Sequence, residues 1–122
     1  MKTKDEIINE LDHFTGTEHY YRMHHNTLLT DGVKYLCEEC KAFWLMDVIW
    51  SYLPQVPVDE YFLVVKFDVR DEDGRFWMGD DTPPQNVDIA QEIGFTDFPL
   101  DSITLYVSRM GDKWVIMLNS EY

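Results

Sequence analysis

The sequence predicts an α+β fold, in which N-terminal helices pack on a sheet of four to five mostly antiparallel strands. Two observations predict this class. Apolar residues recur at helical spacing before position 54, whereas β-forming residues alternate with turn residues after position 57. The chain has 122 residues, of which 45% are hydrophobic, so it can bury a core of its own. We therefore expect residues 1–122 to form a single compact domain.

The first element is predicted to be an amphipathic helix. Thr3 is followed three residues later by Glu6, which is the pattern of a capping box, and apolar residues then recur at helical spacing until Gly16. The next segment, residues 17–30, is rich in His and Tyr and has no clear periodicity. We expect it to form a short strand or an extended arm.

A second, longer helix is expected over residues 33–53. This run contains no Gly or Pro and stops at Pro54, which cannot continue a helix. Between positions 42 and 53 only Asp47 and Ser51 are polar, and they lie one turn apart. The pattern predicts a helix that is buried against the sheet on all but one narrow stripe.

Strands and turns are predicted for the rest of the chain. The segments with β-forming residues or apolar alternation are residues 61–69, 75–78, 87–95, 103–108 and 114–118. Turn residues separate them at positions 71–74, 98–101 and 111–112, and a loop with two prolines occupies residues 82–86. The turn at residues 71–74 should close a hairpin.

The net charge of the chain restricts the classes of partner that it can bind. Twenty-three Asp and Glu stand against ten Lys and Arg, a formal net charge of −13. Such a surface repels nucleic acid and anionic membranes and attracts basic proteins or cations. The sequence shows no apolar leader and no stretch long enough to cross a bilayer, and its two cysteines are too few for a secreted disulfide scaffold. We therefore expect a cytoplasmic protein.

Five short motifs carry a resemblance to known proteins. They are FTGTEHYY at residues 14–21, LTDGVKYL at 29–36, AFWL at 42–45, TDFPLDSITLY at 96–106 and SEY at 120–122. In these motifs, over nearly its whole length, the chain resembles an uncharacterised family of short bacterial, plasmid and phage proteins. The resemblance implies a small free-standing protein from a mobile element. The two cysteines and the acidic, proline-bearing segment at residues 71–86 depart from the pattern of that family.

Cys37 and Cys40, with His24 and His25 upstream, form the first candidate site. Two thiolates three residues apart and two imidazoles are ligands that Zn²⁺ prefers. Zinc-binding cysteine pairs normally lie in a tight knuckle rather than inside a helix, however, so two buried structural cysteines and no cofactor are favoured. A small metal- or ligand-binding enzyme built on these four residues is the alternative function.

Two further groups have side chains suited to acid–base chemistry. The first is a polar cluster that consists of His13, His19, Tyr20, Tyr21, Arg22, His24 and His25. Such a cluster binds an anionic ligand or performs acid–base chemistry near neutral pH, or it is a surface segment whose tyrosines pack on the edge of the sheet. The second is Asp47, which we expect to be partly buried with a raised pKa. It would serve as a general acid or base, or accept hydrogen bonds from a loop.

The acidic residues themselves form the fourth candidate. Between positions 59 and 101 there are twelve acidic and three basic residues, a balance of −9. Carboxylates at turns and on the outward face of strands can form a stripe that occupies a groove meant for phosphates, and neighbouring aromatic side chains, with Met78, would supply an apolar anchor. The predicted partner-binding residues are Asp59, Glu60, Asp68, Asp71, Glu72, Asp73, Phe76, Trp77, Asp80 and Asp81.

The sequence thus predicts a non-enzymatic acidic interaction module. It lacks a nucleophile elbow and a glycine-rich phosphate loop, and its charge favours a basic protein as partner. An inhibitor from a phage or mobile element would dock on a basic host protein that handles nucleic acid, such as a CRISPR effector or another defence nuclease. We expect no direct binding to nucleic acid or membrane, and the exposed strand edges leave a homodimer open.

Overall fold

The computed structural model describes residues 2–24, 26–80 and 87–122. Within these residues the chain forms three α-helices and a seven-stranded mixed sheet, which confirms the α+β class. The helices are α1 (Lys4–Asp12), α2 (Asp31–Cys40) and α3 (Phe43–Tyr52), and the strands are β1 (Tyr20–His24), β2 (Thr27–Thr30), β3 (Phe62–Arg70), β4 (Asp73–Gly79), β5 (Asp88–Ile93), β6 (Ser102–Met110) and β7 (Lys113–Leu118). Short 3-10 turns at Leu53–Gln55 and Asn119–Glu121 follow α3 and β7.

The number of strands was underestimated because β1 and β2 lie in the segment without clear periodicity. These two strands form an antiparallel hairpin, and β2 pairs in parallel with β7. The strand order is β1-β2-β7-β6-β3-β4-β5, and every other pair along it is antiparallel. The sheet of the described residues therefore has more strands than expected. It is a mixed sheet because β2 and β7, which are far apart in sequence, pair in parallel.

The first helix forms as predicted at its start but is shorter. The Thr3 hydroxyl accepts a hydrogen bond from the Glu6 N–H at 3.2 Å, and the Glu6 side chain accepts one from the Thr3 N–H at 3.4 Å, so the capping box is confirmed. The helix ends at Asp12 rather than near Gly16. Its buried residues are Ile7 and Leu11, which join the core of the protein.

The single helix predicted over residues 33–53 is in fact two helices. The first one, α2, ends at Cys40, because the capping residue Lys41 has a φ of +52° in the left-handed region. A helix cannot continue through such a residue, and Ala42 with a φ of −113° then starts α3. A glycine normally marks this kind of helix end, but here the residue is a lysine. The apolar periodicity continues on both sides of it, so the sequence did not reveal the break between the two helices.

The two faces of the sheet have different neighbours. Trp44 of α3 packs its ring against Phe67 at 5.5 Å, and Tyr52 packs against Phe76 at 6.0 Å. We call this side the helix-side face; the alternate residues of the same strands point the other way and form what we call the open face. Its apolar and aromatic residues include Tyr20, Leu28, Phe62, Val64, Trp77, Tyr106, Val115 and Met117, and its charged residues are Arg22, Lys66, Asp68, Arg70, Asp73, Arg75, Asp88, Glu92 and Lys113.

Candidate functional site

Exposed carboxylates gather at the end of the sheet where β3 turns into β4. The turn residues Asp71 and Glu72 lie at its tip, and the loop before β6 is joined to it because the Val69 N–H donates to the Asp101 carbonyl at 2.8 Å. We call this region the acidic hairpin end. It comprises Asp68, Asp71, Glu72, Asp73, Glu92, Asp97 and Asp101, all of which are exposed.

A cavity of about 640 Å³ opens among these residues. It is lined by Asp68, Val69, Arg70, Asp71, Asp73, Arg75 and Asp101. The two arginines moderate the negative potential inside the cavity, and Lys4 of α1 forms an ion pair with Asp101 at 2.6 Å on its margin. Asp71 and Glu72 add two further exposed carboxylates at the tip of the turn.

The turn holds its carboxylates in a fixed backbone conformation. Asp71 and Glu72 have φ values of +52° and +69°, as expected for the two central residues of a tight hairpin turn. The Glu72 carbonyl also accepts a hydrogen bond from the Thr96 N–H at 2.8 Å, which ties the turn to the neighbouring loop. Gly74 lies inside β4 rather than in the turn, and position 74 requires a glycine because a Cβ there would come within 2.6 Å of the Phe67 ring.

An aromatic side chain stands beside these carboxylates. Phe95 directly precedes Thr96, is 92% exposed and has a φ of +55°, so its backbone is strained and its ring lies in solvent. The sequence had pointed to other residues as the apolar anchor, and this was wrong for Phe76 and Met78. They are 1% and 0% exposed and belong to the core.

Trp77, the remaining predicted anchor, lies half-buried on the open face. Its indole N–H donates to the Asp88 carboxylate at 2.6 Å, and the Lys66 ammonium lies 5.7 Å from the ring centroid. These contacts hold the ring against its strand neighbours. Phe95 was missed because it falls at the end of an alternating segment, where an apolar residue was read as part of the strand.

The other predicted carboxylates lie at the opposite end of the same strands. Asp59 and Glu60 precede β3, and Asp80 follows β4, whereas Asp71 lies roughly 25–30 Å away along a nine-residue strand. The Asp80 carboxylate accepts a hydrogen bond from the Val87 N–H at 3.1 Å. Asp81 and the proline-bearing loop lie outside the described residues. The structure thus brings Asp68, Asp71, Glu72 and Asp73 together but places the rest of the set elsewhere.

His24 and Asp47 form a pair that the sequence did not predict, because the two residues belonged to separate candidate sites. A β-bulge after Arg22 shifts the register, so that His24 pairs with Thr27 and points to the helix-side face. There its Nε2 lies 3.1 Å from the Asp47 Oδ1, and its ring stacks on Trp50 at 4.0 Å. The expectation that Asp47 is partly buried was wrong, because its side chain is 65% exposed. The pair orients an imidazole at the surface, where ion pairs contribute little to stability.

Cys37 and Cys40 are buried in the core. Burial raises the pKa of the Cys37 thiol to about 12 and that of Cys40 to about 11, so both are protonated at neutral pH, unlike zinc ligands. Among residues 2–24, 26–80 and 87–122, no three His, Cys, Asp or Glu side chains are arranged to hold a metal ion. His25 falls outside these ranges. The structure therefore gives the metal-binding alternative no support.

The rest of the polar cluster is organised by Asp31 at the start of α2. Its carboxylate accepts hydrogen bonds from the Glu18 N–H at 2.9 Å, the His19 N–H at 3.4 Å and the Tyr21 hydroxyl at 3.0 Å. The backbone bond from Glu18, followed by the other donors, lowers the pKa of Asp31. The hydrogen bond to Asp31 in turn raises the pKa of Tyr21, whose ring also carries the Lys34 ammonium at 4.1 Å. These contacts fasten the segment before β1 to α2.

Comparison with known proteins identifies a family without assigning an activity. The model of the family of unknown function DUF6876 matches residues 5–122. No curated protein and no solved structure matches the chain. In the described part of the chain, every helix is too short or too polar to cross a membrane. Function must accordingly be argued from the geometry.

Proposed function

We propose that this chain, which belongs to the DUF6876 family, is a non-enzymatic acidic module that docks on a basic surface of another protein through its acidic hairpin end. The observation that carries the proposal is the seven exposed carboxylates together with Phe95, which is 92% exposed and directly precedes Thr96, the residue bonded to the turn. Carboxylates alone steer a basic partner toward the surface. An exposed aromatic ring among them adds the apolar anchor that a stable interface needs.

The backbone of the acidic hairpin end favours tight recognition. Its tip is a two-residue turn in which Asp71 and Glu72 both have positive φ, and the hydrogen bond from Thr96 fixes the turn against the next loop. A side chain presented on a fixed backbone loses less conformational entropy on binding than one on a flexible tail. The module therefore recognises a matching array of cations rather than any basic surface.

A narrower form of the proposal names the class of partner. Carboxylates on a rigid turn can take the places of phosphates in a groove lined by Lys and Arg, so a basic protein that handles nucleic acid fits this surface. The net charge of −13 supports an inhibitor of a host nuclease, and the proposal is that such an inhibitor comes from a phage or mobile element. A CRISPR effector or another defence nuclease is the most specific candidate.

The experiment is a retention assay followed by binding measurements. Tagged protein is mixed with host lysate, with and without nuclease treatment and across a salt series, and each retained basic protein is purified for titration. The test variant is Asp71→Lys with Glu72→Lys and Asp73→Lys, and the matched control is Glu10→Lys with Asp12→Lys and Glu38→Lys. Both triple variants change the net charge by the same amount, and circular dichroism verifies that each is folded.

We expect a clear difference in affinity between the two triple variants. The test variant should lose at least about tenfold in affinity, since close charge pairs contribute over 1.4 kcal/mol, whereas the control should lose far less. Binding should weaken with salt and be displaced by RNA or DNA. Phe95→Ala should also weaken it, with Phe43→Ala as control. Equal losses for both triple variants would mean a non-specific charge effect and would contradict the proposal.

A further inference from the structure

The open face differs in charge from the rest of the protein. Its strands carry five basic and four acidic side chains, a balance of +1, whereas the remaining five basic and nineteen acidic residues sum to −14. Half of the cations of the chain are therefore placed on this one face. A face close to neutral on so acidic a protein needs an explanation other than attraction of a basic partner.

Aromatic rings occupy the middle of the open face. Tyr106 lies on β6, the central strand of the seven, and its ring is 5.1 Å from Phe62 and 5.5 Å from Tyr122. Tyr122 is 78% exposed, whereas Val64 and Val115 beside the cluster are buried. A partly exposed aromatic cluster surrounded by polar residues has the composition of the core of a protein interface.

The charges are arranged asymmetrically about β6. On the side of β1, β2 and β7, the described strands contribute Arg22 and Lys113 to the open face and no carboxylate. On the side of β3, β4 and β5 they contribute three cations and all four carboxylates. One half of the face is thus purely cationic, and the other half has a net negative charge.

We propose that two copies of this chain pack through their open faces about a two-fold axis that runs along β6. This axis turns the cationic half of one copy onto the acidic half of the other, and it brings β1 with Arg22 opposite β5 with Asp88. It also stacks the Tyr106 clusters, so apolar contact lies at the centre and charge pairs lie at the rim. The inference does not rest on the proposed docking function, although the two surfaces share Asp68, Asp73 and Glu92.

The net charge of the chain does not oppose this assembly. Facing sheets lie about 10 Å apart, and the helices of each copy point away from the contact, so most carboxylates are separated by more than the Debye length of about 8–10 Å. A single-stranded nucleic acid fits the face less well. Five cations interleaved with four carboxylates neutralise almost no phosphate charge.

Sedimentation equilibrium of the full chain, from micromolar to millimolar concentration, tests the assembly. We expect a dimer whose dissociation constant rises at least about thirtyfold in Tyr122→Glu, as for an interface hot spot. Phe43→Glu places the same charge on a half-exposed ring of α3 and should leave the dimer intact. Because Tyr122 is exposed, its substitution should not unfold the chain, which thermal denaturation would verify.

A charge swap tests the axis itself. Arg22→Asp should weaken the dimer, and adding Asp88→Arg should restore it, whereas adding Asp97→Arg should not. A monomer at all concentrations, a dimer indifferent to Tyr122→Glu, or a swap without rescue would each overturn the proposal. So would tight binding of a short RNA to the open face. Asp71→Lys with Glu72→Lys, which leaves Asp73 and the rest of the open face unaltered, should weaken docking but leave the dimer unchanged, so the failure of this assembly and that of the docking function are distinguishable.

Discussion

The helix-side face and the open face are built from the same strands, yet they impose different demands on neighbouring residues. Phe76 and Trp77 are adjacent in β4 and are both large aromatics, but Phe76 is 1% exposed under Tyr52 whereas Trp77 is half-buried beside Lys66. At Phe76 the helix-side face is packed against α3 and buried, and its His24–Asp47 pair lies at an exposed margin. The open face combines rings with charges, which suits a surface that is covered only on association.

The largest expected effect comes from truncating the two adjacent aromatic side chains, Phe76 and Trp77, to alanine. Phe76→Ala should lower the free energy of unfolding by about 3–5 kcal/mol, because it leaves a cavity between the sheet and α3. Trp77→Ala, measured by urea denaturation below the concentration at which dimers form, should cost less than half as much. Similar losses for both variants would show that the open face is packed as tightly as the helix-side face, which would contradict the distinction.

Glu121 connects residues of the helix-side face to residues of the open face, so its substitution tests how far the two faces depend on each other. Its carboxylate accepts hydrogen bonds from the Thr30 hydroxyl at 2.6 Å, the Gly32 N–H at 3.1 Å and the Leu118 N–H at 2.9 Å. Leu118 belongs to the helix-side face, and Tyr122, one residue beyond Glu121, lies on the open face.

Glu121→Gln should therefore lower the free energy of unfolding by roughly 1–3 kcal/mol, since an amide cannot satisfy all three donors. Glu10→Gln, an exposed helix substitution, should change it by less than about 0.5 kcal/mol. The same denaturation curves measure both. If the two variants behave alike, the carboxylate at residue 121 contributes nothing beyond its charge.

A smaller effect concerns the pH dependence of the core behind the helix-side face. Burial raises the pKa of Cys37 from 9.0 to about 12, so the folded state keeps its proton where the unfolded state loses it. This contribution to stability is complete below pH 9 and is lost as the pH rises toward 12. The decline is at most about 1.4 kcal/mol per pH unit for this thiol. Cys37→Ala should reduce the slope of stability against pH above pH 9, and an unchanged slope would mean that the thiol is not protected.

Patterns carried by neighbouring residues were predictable from the sequence, and those carried by distant ones were not. The capping box of Thr3 and Glu6, the hairpin turn at Asp71 and the later strands all follow from local side-chain chemistry. Strand β2 is stabilised by pairing with β7 about 85 residues later, which leaves no local signature. The left-handed Lys41 likewise lacks the glycine that would have marked it.

The candidate site was predictable to the same extent. Acidic residues at the turn were found because turn and charge are both local features. The pairing of His24 with Asp47 was missed because it needs a bulge in β1 and the break before α3 together. Phe95 was missed because its exposure depends on a positive φ that apolar alternation does not reveal.

The parallel pairing of β2 with β7 has a consequence for how the chain reaches this structure. Strands β3, β4 and β5 pair with their neighbours in sequence, and β6 reaches back across β4 and β5 to pair with β3, whereas the β1–β2 hairpin needs residues 114–116 before it can join the sheet. Closing so long a loop costs entropy before any contact repays it, and high contact order slows folding. During synthesis the β1–β2 hairpin and the start of α2 therefore wait, incompletely supported, until the last strand has emerged.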